Sequence, residues 1–304
     1  MRVVDVLGLL LVQLLWGAHF PISKIAFRDF SPLFLVALRF TAVAAILCPF
    51  WRFPRGKLVP ILGLSLTYGS LAYGFQFAGI AHLDASTAAI VTQAQVPFAA
   101  ILAAYFYSDR FGWQRLAGLA LSCLGIVLVV GEPRVSSNFI WVLSILLSVL
   151  IQAFGAIQIK SLGPISSFTL TGWIAFFTAP QMLLASFLLE SGQGLSLRNA
   201  SWHSWAALGY TVFVVAIGTF TVWYPMLRRY SVNQVIPFTL LVPVFGVLSG
   251  VSILGESLSV QSMLGGIATI AGVAIIVLRR ARVASPAAAE PQPIAAGPAV
   301  HKES

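Results

Sequence analysis

Arg39 stands inside the apolar run PLFLVALRFTAVAAIL. A charge within so apolar a stretch is a functional-site hypothesis, because each one costs about 2.5–3.5 kcal/mol at the centre of a bilayer. Arg39 falls eight residues into that run, roughly 11–12 Å along a helix. Two chemistries suit it: recognition of a substrate carboxylate, or a structural role, snorkelling or bonding backbone carbonyls between helices. His19, in LLWGAHF, is the one such side chain whose ordinary pKa lies near neutrality; it can relay protons or simply pack through a hydrogen bond. Uncharged polar groups complete the set: Gln76, Gln95, Gln158, Trp223, Tyr224 and Asn233. Amides and aromatic edges can hold a zwitterion without demanding net charge, and the alternative for each is an interhelical hydrogen bond, typically worth about 0.6 kcal/mol. Gln93 and Gln95 lie about 200° apart around a helix, so only one faces a cavity squarely; Gln95, close to Pro97, is favoured because proline frees a backbone carbonyl.

Covalent chemistry is not supported. His19, His82, His203 and His301 are scattered, no zinc spacing, nucleophile elbow or phosphate loop occurs, and Cys48 and Cys123 lie in or beside apolar runs. We therefore expect no catalytic residue, no metal and no cofactor. Asp84, Asp109, Glu132, Glu190 and Glu256 fall at helix ends or in loops, so no carboxylate is placed to relay protons deep in a span.

The elements that must position these groups follow from solvent. Of the 304 residues, 59% are hydrophobic and 9% charged, where a soluble domain carries about 25% charged. The mean hydropathy is +0.92. Lipid is the expected surroundings, and runs of roughly 20 apolar residues read as transmembrane helices. Ten are predicted: 4–23, 32–50, 58–80, 85–107, 113–131, 138–159, 166–189, 204–227, 233–253 and 259–279. The first is read as a retained span rather than a signal peptide, since no small-residue cleavage site follows it. The Pro- and Ala-rich segment 284–304 is expected to be a disordered cytoplasmic tail.

The net charge of +9 reads as loop charge rather than a nucleic-acid surface, because no basic run is interleaved with stacking aromatics. With ten spans and a cytoplasmic N-terminus, 13 of the 18 Lys and Arg fall inside and 4 outside, with Arg39 in a span. That bias predicts N- and C-termini in the cytoplasm of a multi-pass protein of the cell inner membrane.

The chain also resembles itself. SDRFGWQRLAGLALSCLG (108–125) aligns with GESLSVQSMLGGIATIAG (255–272), pairing Asp109 with Glu256, Gln114 with Gln261, Gly118 with Gly265 and Gly125 with Gly272; with one residue of slip Pro97 meets Pro243. Two units follow, 1–131 and 132–283, each of five helices. An odd number forces the second copy to enter the membrane from the opposite side, so the expected fold is all-α, ten helices in two inverted repeats, a plan of secondary transporters. The glycines at these spacings read as helix packing.

The segments LLWGAHFPISK, SPLFLVALRF, ASTAAIVTQAQVPFAAILAAYFYSDRFGWQRLAGLALSCLGIVLVV and RRYSVNQVIPFTLLVPVFGVLSGVSILGES resemble the EamA branch of the drug/metabolite transporter superfamily over residues 6–280. Within it, QAQ and LLVP look most like bacterial exporters of cysteine-pathway amino acids such as O-acetylserine. The resemblance implies alternating-access export of small amino acids or related metabolites. Alternatives are carriers of sugars, amines or drugs, a channel, or, least supported, a membrane-embedded enzyme. The partners expected are the lipid bilayer and a small-molecule substrate. The sequence departs from the family pattern at His19 and Ala156, both often Asn, and at Asp109, often Glu. These differences bear on substrate more than on fold.

Overall fold

A computed structural model describes residues 1–50, 52–107, 112–163, 165–230 and 232–283. Among the described residues nine helices are long and apolar enough to cross a membrane: α1 Val3–Ala26, α3 Leu58–His82, α4 Ala85–Phe106, α5 Trp113–Val130, α6 Phe139–Ser161, α7 Ser167–Leu189, α8 Trp202–Leu227, α9 Ile236–Leu254 and α10 Val260–Leu278. The tenth, α2 Pro32–Leu47, is shorter and runs into a 3₁₀ turn, Cys48–Phe50. No strand occurs among the described residues. All ten predicted helices are therefore present within a few residues of their expected ends. The tail beyond Val283 and Asp109 lie outside the described residues.

Leu66, Val127, Leu184, Phe187, Leu188 and Ile267 are exposed, as are many other large apolar side chains around the bundle. In water such a surface would aggregate; hydrocarbon is the solvent that accepts it. The buried apolar side chains form a cluster around α2, α3, α7 and α8 and another around α3, α4 and α6. Apolar burial has little driving force between helices in lipid, so close backbone approach and polar contacts must hold the bundle.

The α5–α10 crossing shows the first device. A Cβ added at Gly125 would lie 2.5 Å from the Gly265 carbonyl oxygen, and one at Gly272 would lie 2.6 Å from the Gly118 carbonyl oxygen. The glycines of the two repeats thus meet crosswise, Gly125 against Gly265 and Gly118 against Gly272, and the two backbones touch through them. Cross-helix capping is the second device. Glu190, at the end of α7, accepts from Leu33 N (2.8 Å), Phe34 N (3.0 Å) and Ser31 Oγ (2.7 Å) at the start of α2. Glu256, beyond α9, accepts from Ala85 N (2.6 Å), Ser86 N (2.9 Å) and Ser86 Oγ (2.6 Å) at the start of α4. Asp29, between α1 and α2, accepts from Ser201 Oγ (2.7 Å), Ser204 Oγ (2.7 Å) and Ser201 N (2.9 Å) at the start of α8. Each carboxylate satisfies N–H or hydroxyl groups that a helix start leaves open, and meets the positive end of the helix dipole. Glu190 and Glu256, which the sequence placed at helix ends, and Asp29, which it did not single out, are thus explained as fasteners between helices.

Two expectations follow. Gly125→Leu drives a side chain into the α10 backbone and lowers stability by about 1–3 kcal/mol, read as a fall in melting temperature of the detergent-solubilised chain. The Asp29 carboxyl is held below its ordinary value of 3.8, first by the Ser201 and Ser204 hydroxyls and then by the Ser201 N–H. A depressed carboxyl stabilises the fold above its ordinary range and loses that contribution as pH falls through its lowered value. In a carboxyl ¹³C NMR titration, Ser201→Ala with Ser204→Ala raises the Asp29 midpoint toward the ordinary value; an unmoved midpoint contradicts the cap.

Candidate functional site

The helices carrying the polar side chains are not uniform. Ser65–Ala72 within α3 and Tyr210–Gly218 within α8 are π-helical. Both have hydroxyls bonded back onto carbonyls one turn earlier: Ser65 Oγ to Leu62 O at 2.7 Å and Thr211 Oγ1 to Leu208 O at 2.8 Å. Such bonds offer carbonyls a partner outside the helical ladder, and π segments occur disproportionately at functional sites. Thr92–Ala94 within α4 and Ile236–Leu240 at the start of α9 are 3₁₀. Pro97 and Pro243 follow these segments, and each removes the i+4 partner of a carbonyl, at Gln93 and Thr239 respectively.

Arg39 lies against α3 just past its π segment. It is 6% exposed, and its Nη1 has no hydrogen-bond partner. No carboxylate lies within ion-pair distance among the described residues. Aromatic faces surround it instead: the guanidinium carbon is 5.0 Å from the Tyr73 ring centre, 5.7 Å from Phe77 and 6.0 Å from Phe40. Tyr68, on the π segment, stands 6.0 Å from Tyr73. Gly155 of α6 makes room for it, since a Cβ there would fall 2.7 Å from Tyr68 Cδ2. His19 joins the same sleeve, its ring 5.6 Å from Phe77, and shares a 3.2 Å hydrogen bond with Ser23 Oγ. Cation–π contacts contribute about 0.5–2 kcal/mol each and hold the guanidinium without neutralising it. The arrangement is a buried cation among aromatic rings, with no carboxylate beside it among the described residues.

The other sequence candidates fall elsewhere. Gln76 Oε1 accepts from Gln152 Nε2 at 3.3 Å, and Gln158 Oε1 accepts from Thr67 Oγ1 at 2.7 Å, so both tie α3 to α6. Trp223 packs on Trp16, centres 5.1 Å apart, where Trp16 Nε1 donates to Thr219 Oγ1 at 3.0 Å; this pair joins α1 to α8. Gln95 is half-buried at the end of the 3₁₀ segment in α4, with no hydrogen bond among the described residues. The side chains of Tyr224 and Asn233 lie outside the described residues. His19 and Arg39 are therefore the two candidates brought together. An apolar groove of about 540 Å³ between α3, α6 and α7, lined by Leu66, Phe75, Leu143 and Met182 among others, contains none of the candidates.

Sequence reasoning passed over Gln13. It is fully buried in α1, and neither its Oε1 nor its Nε2 has a partner. Each unmet buried group costs about 1–3 kcal/mol. The signal was legible: a lone amide in the run LLLVQLLWG.

The bundle is fastened at both ends. Asp5, at the start of α1, pairs with Arg229 at 3.1 Å and accepts from the Tyr230 hydroxyl beyond α8. The opposite end, extracellular in the orientation read from the sequence, is fastened as well. There Lys24 Nζ donates to the Leu83 carbonyl and Glu256 caps α4. Below it α1, α4 and α9 meet closely: a Cβ at Gly17 would fall 2.7 Å from Gly246 N, and one at Gly246 would fall 2.6 Å from Ala89 Cβ. Beyond Gln95, α4 packs chiefly on α6 rather than on α9. The three helices are thus in close contact toward the Glu256 end.

A model of the EamA-like transporter family matches residues 4–131 and again 139–278. Over 278 residues the chain is 32% identical to a "Probable amino-acid metabolite efflux pump" of Salmonella typhimurium, covering 88% of this chain and 92% of that one. A protein of the same description from Escherichia coli is 30% identical over 277 residues, with the same coverage. An S-adenosylmethionine/S-adenosylhomocysteine transporter of Chlamydia trachomatis is 24% identical over 262 residues, 80% of each chain. A protein known from a crystal structure shares the fold, with a TM-score of 0.61 at 17% identity over 94% of this chain and 100% of that one.

Arg39→Met gives up cation–π contacts of about 0.5–2 kcal/mol each but also the cost of burying a charge, so the unliganded variant stays folded and its melting temperature serves as its own baseline. A carboxylate ligand at 100 times its Kd stabilises the parent by about 2.7 kcal/mol and leaves the variant unshifted. Equal ligand-induced shifts in thermal melting would remove Arg39 from the site.

Proposed function

The chain belongs to the EamA-like transporter family, and from that premise we propose that it exports small amino acids or related metabolites by alternating access. The observation that carries the reading is Arg39: a guanidinium buried between α1, α2 and α3 among aromatic faces, with Nη1 unpaired. A substrate carboxylate supplies the missing partner, and a bidentate or single charge-assisted bond to guanidinium is the strong form of that contact. The aromatic faces of Tyr73 and Phe77 suit a small, partly apolar side chain. A single buried cation suits one carboxylate. A nucleotide sugar or other phosphorylated substrate would call for several, and among the described residues Arg39 is the only buried Arg or Lys.

The wider account is of two inverted five-helix units, 1–131 and 132–283. It is supported by the double match of one family model, by π segments in α3 and α8, and by 3₁₀ breaks in α4 and α9. Broken helices near the midplane expose backbone groups to a substrate in such carriers. The termini face the cytoplasm in this reading, which the loop charge bias supports. Loading from the cytoplasm then requires the Asp5 contacts to Arg229 and Tyr230, which join α1 to α8 at the end opposite Glu256, to part. With no acid deep in a span, efflux down the substrate's own gradient is the simplest energetics; His19 carries proton coupling only if its replacement abolishes pH dependence.

The test is export itself. Bacterial cells expressing the chain enrich cysteine, O-acetylserine or another small amino acid in the medium, by mass spectrometry, beyond cells with empty vector. Arg39→Ala abolishes the enrichment and Gln95→Ala reduces it several-fold, both at unchanged membrane abundance. No enrichment of any amino acid contradicts the reading and moves the search to sugars, amines and drugs.

A further inference from the structure

Gln13 has no place in the packing of the molecule. Its neighbours in sequence are absorbed: Leu9, Val12 and Trp16 pack against Trp223, Met226 and Val235. Gly17, one turn on, abuts Phe245 and Gly246 of α9. Gln13 lies between these contacts, fully buried, with both amide atoms unmet. The polar side chains that hold the helices together are bonded: Gln152 to Gln76, Gln158 to Thr67, Gln181 to Ser65, Gln193 to Ser186. A packing role explains those four and does not explain Gln13. An apolar side chain of the same length would fill the space without leaving donors and an acceptor stranded in a membrane interior.

Its depth is informative. The Gly17–Gly246–Ala89 crossing brings α1, α4 and α9 to one level. One helical turn from that crossing, away from the Glu256 end, α1 presents Gln13, α4 presents Gln93 and α9 presents Val242. Gln93 belongs to the 3₁₀ segment Thr92–Ala94, and Val242 follows directly on Ile236–Leu240. The unmet amide therefore sits level with both breaks in the ladder, where Pro97 and Pro243 deprive Gln93 and Thr239 carbonyls of their i+4 partners. It also marks the limit of close α4–α9 packing, which gives way to α6 beyond Gln95.

We propose that Gln13 is a substrate-binding residue, its carboxamide meeting the hydrogen-bonding groups of a small zwitterionic amino acid at the level of the two broken helices. The inference rests on the amino-acid reading above and adds a second station to it. Arg39 takes the carboxylate at one level. Gln13, more than one turn deeper in α1 than His19, receives the amino acid as it enters from the opposite end. A carboxamide offers an acceptor for ammonium and donors for carboxylate at no net charge, so it serves either end of a zwitterion and holds neither too tightly to release it.

The experiment uses the full-length chain in proteoliposomes, with counterflow of radiolabelled L-cysteine, L-serine and L-threonine, and compares the parent with Gln13→Leu and Gln13→Glu. Transport is read well below the melting temperatures of all three. Gln13→Leu melts no lower than the parent, because it strands no polar atom, while its KM rises at least tenfold. Gln13→Glu, which keeps the acceptor and loses the donors, retains more of the transport of Gln13→Leu's best substrate. An unchanged KM in Gln13→Leu overturns the proposal, and so does a lower melting temperature, which would make the amide structural. A parent chain that moves none of the three amino acids overturns the amino-acid reading itself, and the inference with it.

Discussion

Hydrocarbon offers no hydrogen bonds, and a helix bundle inside it must meet every polar group from its own resources. Most features of this fold follow from that demand. Three acids at helix ends, Asp29, Glu190 and Glu256, close the open starts of α8, α2 and α4. Glutamines on α6 and α7 find partners on α3. Glycines on α5 and α10 bring two backbones into contact where apolar burial adds little. The result is a bundle whose joints are polar and local.

Against that background a few exceptions stand out: Arg39, Gln13 and Ser148 are buried side chains with unmet polar atoms, in helices otherwise well fastened. Arg39 and Gln13 are the two proposed to meet substrate. They lie beside the segments in which the α-helical ladder itself is irregular. A stable protein tolerates a few such costs, each of about 1–3 kcal/mol, when the rest of the fold over-determines the arrangement. A carrier has use for them: a group that finds its partner only when substrate is present makes the loaded cavity differ in energy from the empty one, and a ligand shifts an equilibrium only through such a difference.

Much of this was legible in the sequence. Apolar runs marked ten helices, and the repeated glycines marked close helix packing without saying which helices meet. Pro97 and Pro243 marked the places where α4 and α9 leave α-helical geometry. Arg39 was evident as a charge among apolar neighbours, but not its setting, because Tyr68, Tyr73 and Phe77 reach it only through the packing of α3 on α2. The π segments left no trace in hydropathy, since one extra residue per turn does not change the composition of a window. Gln76 and Gln158 were of the right type for a cavity; the structure commits them to α3–α6 bonds. Gln13 was overlooked among leucines, and only the absence of a partner in the folded chain distinguishes it from its bonded counterparts.

The central claim is that the Arg39 guanidinium waits for a substrate carboxylate. It is tested by measuring binding of one exported amino acid and of its C-terminal amide, which keeps shape and ammonium but lacks the negative charge, to the purified parent chain and to Arg39→Gln. The account predicts that the parent binds the amino acid at least tenfold more tightly than the amide, and that Arg39→Gln binds both with the same weak affinity. Equal preference for the carboxylate in both proteins would contradict it.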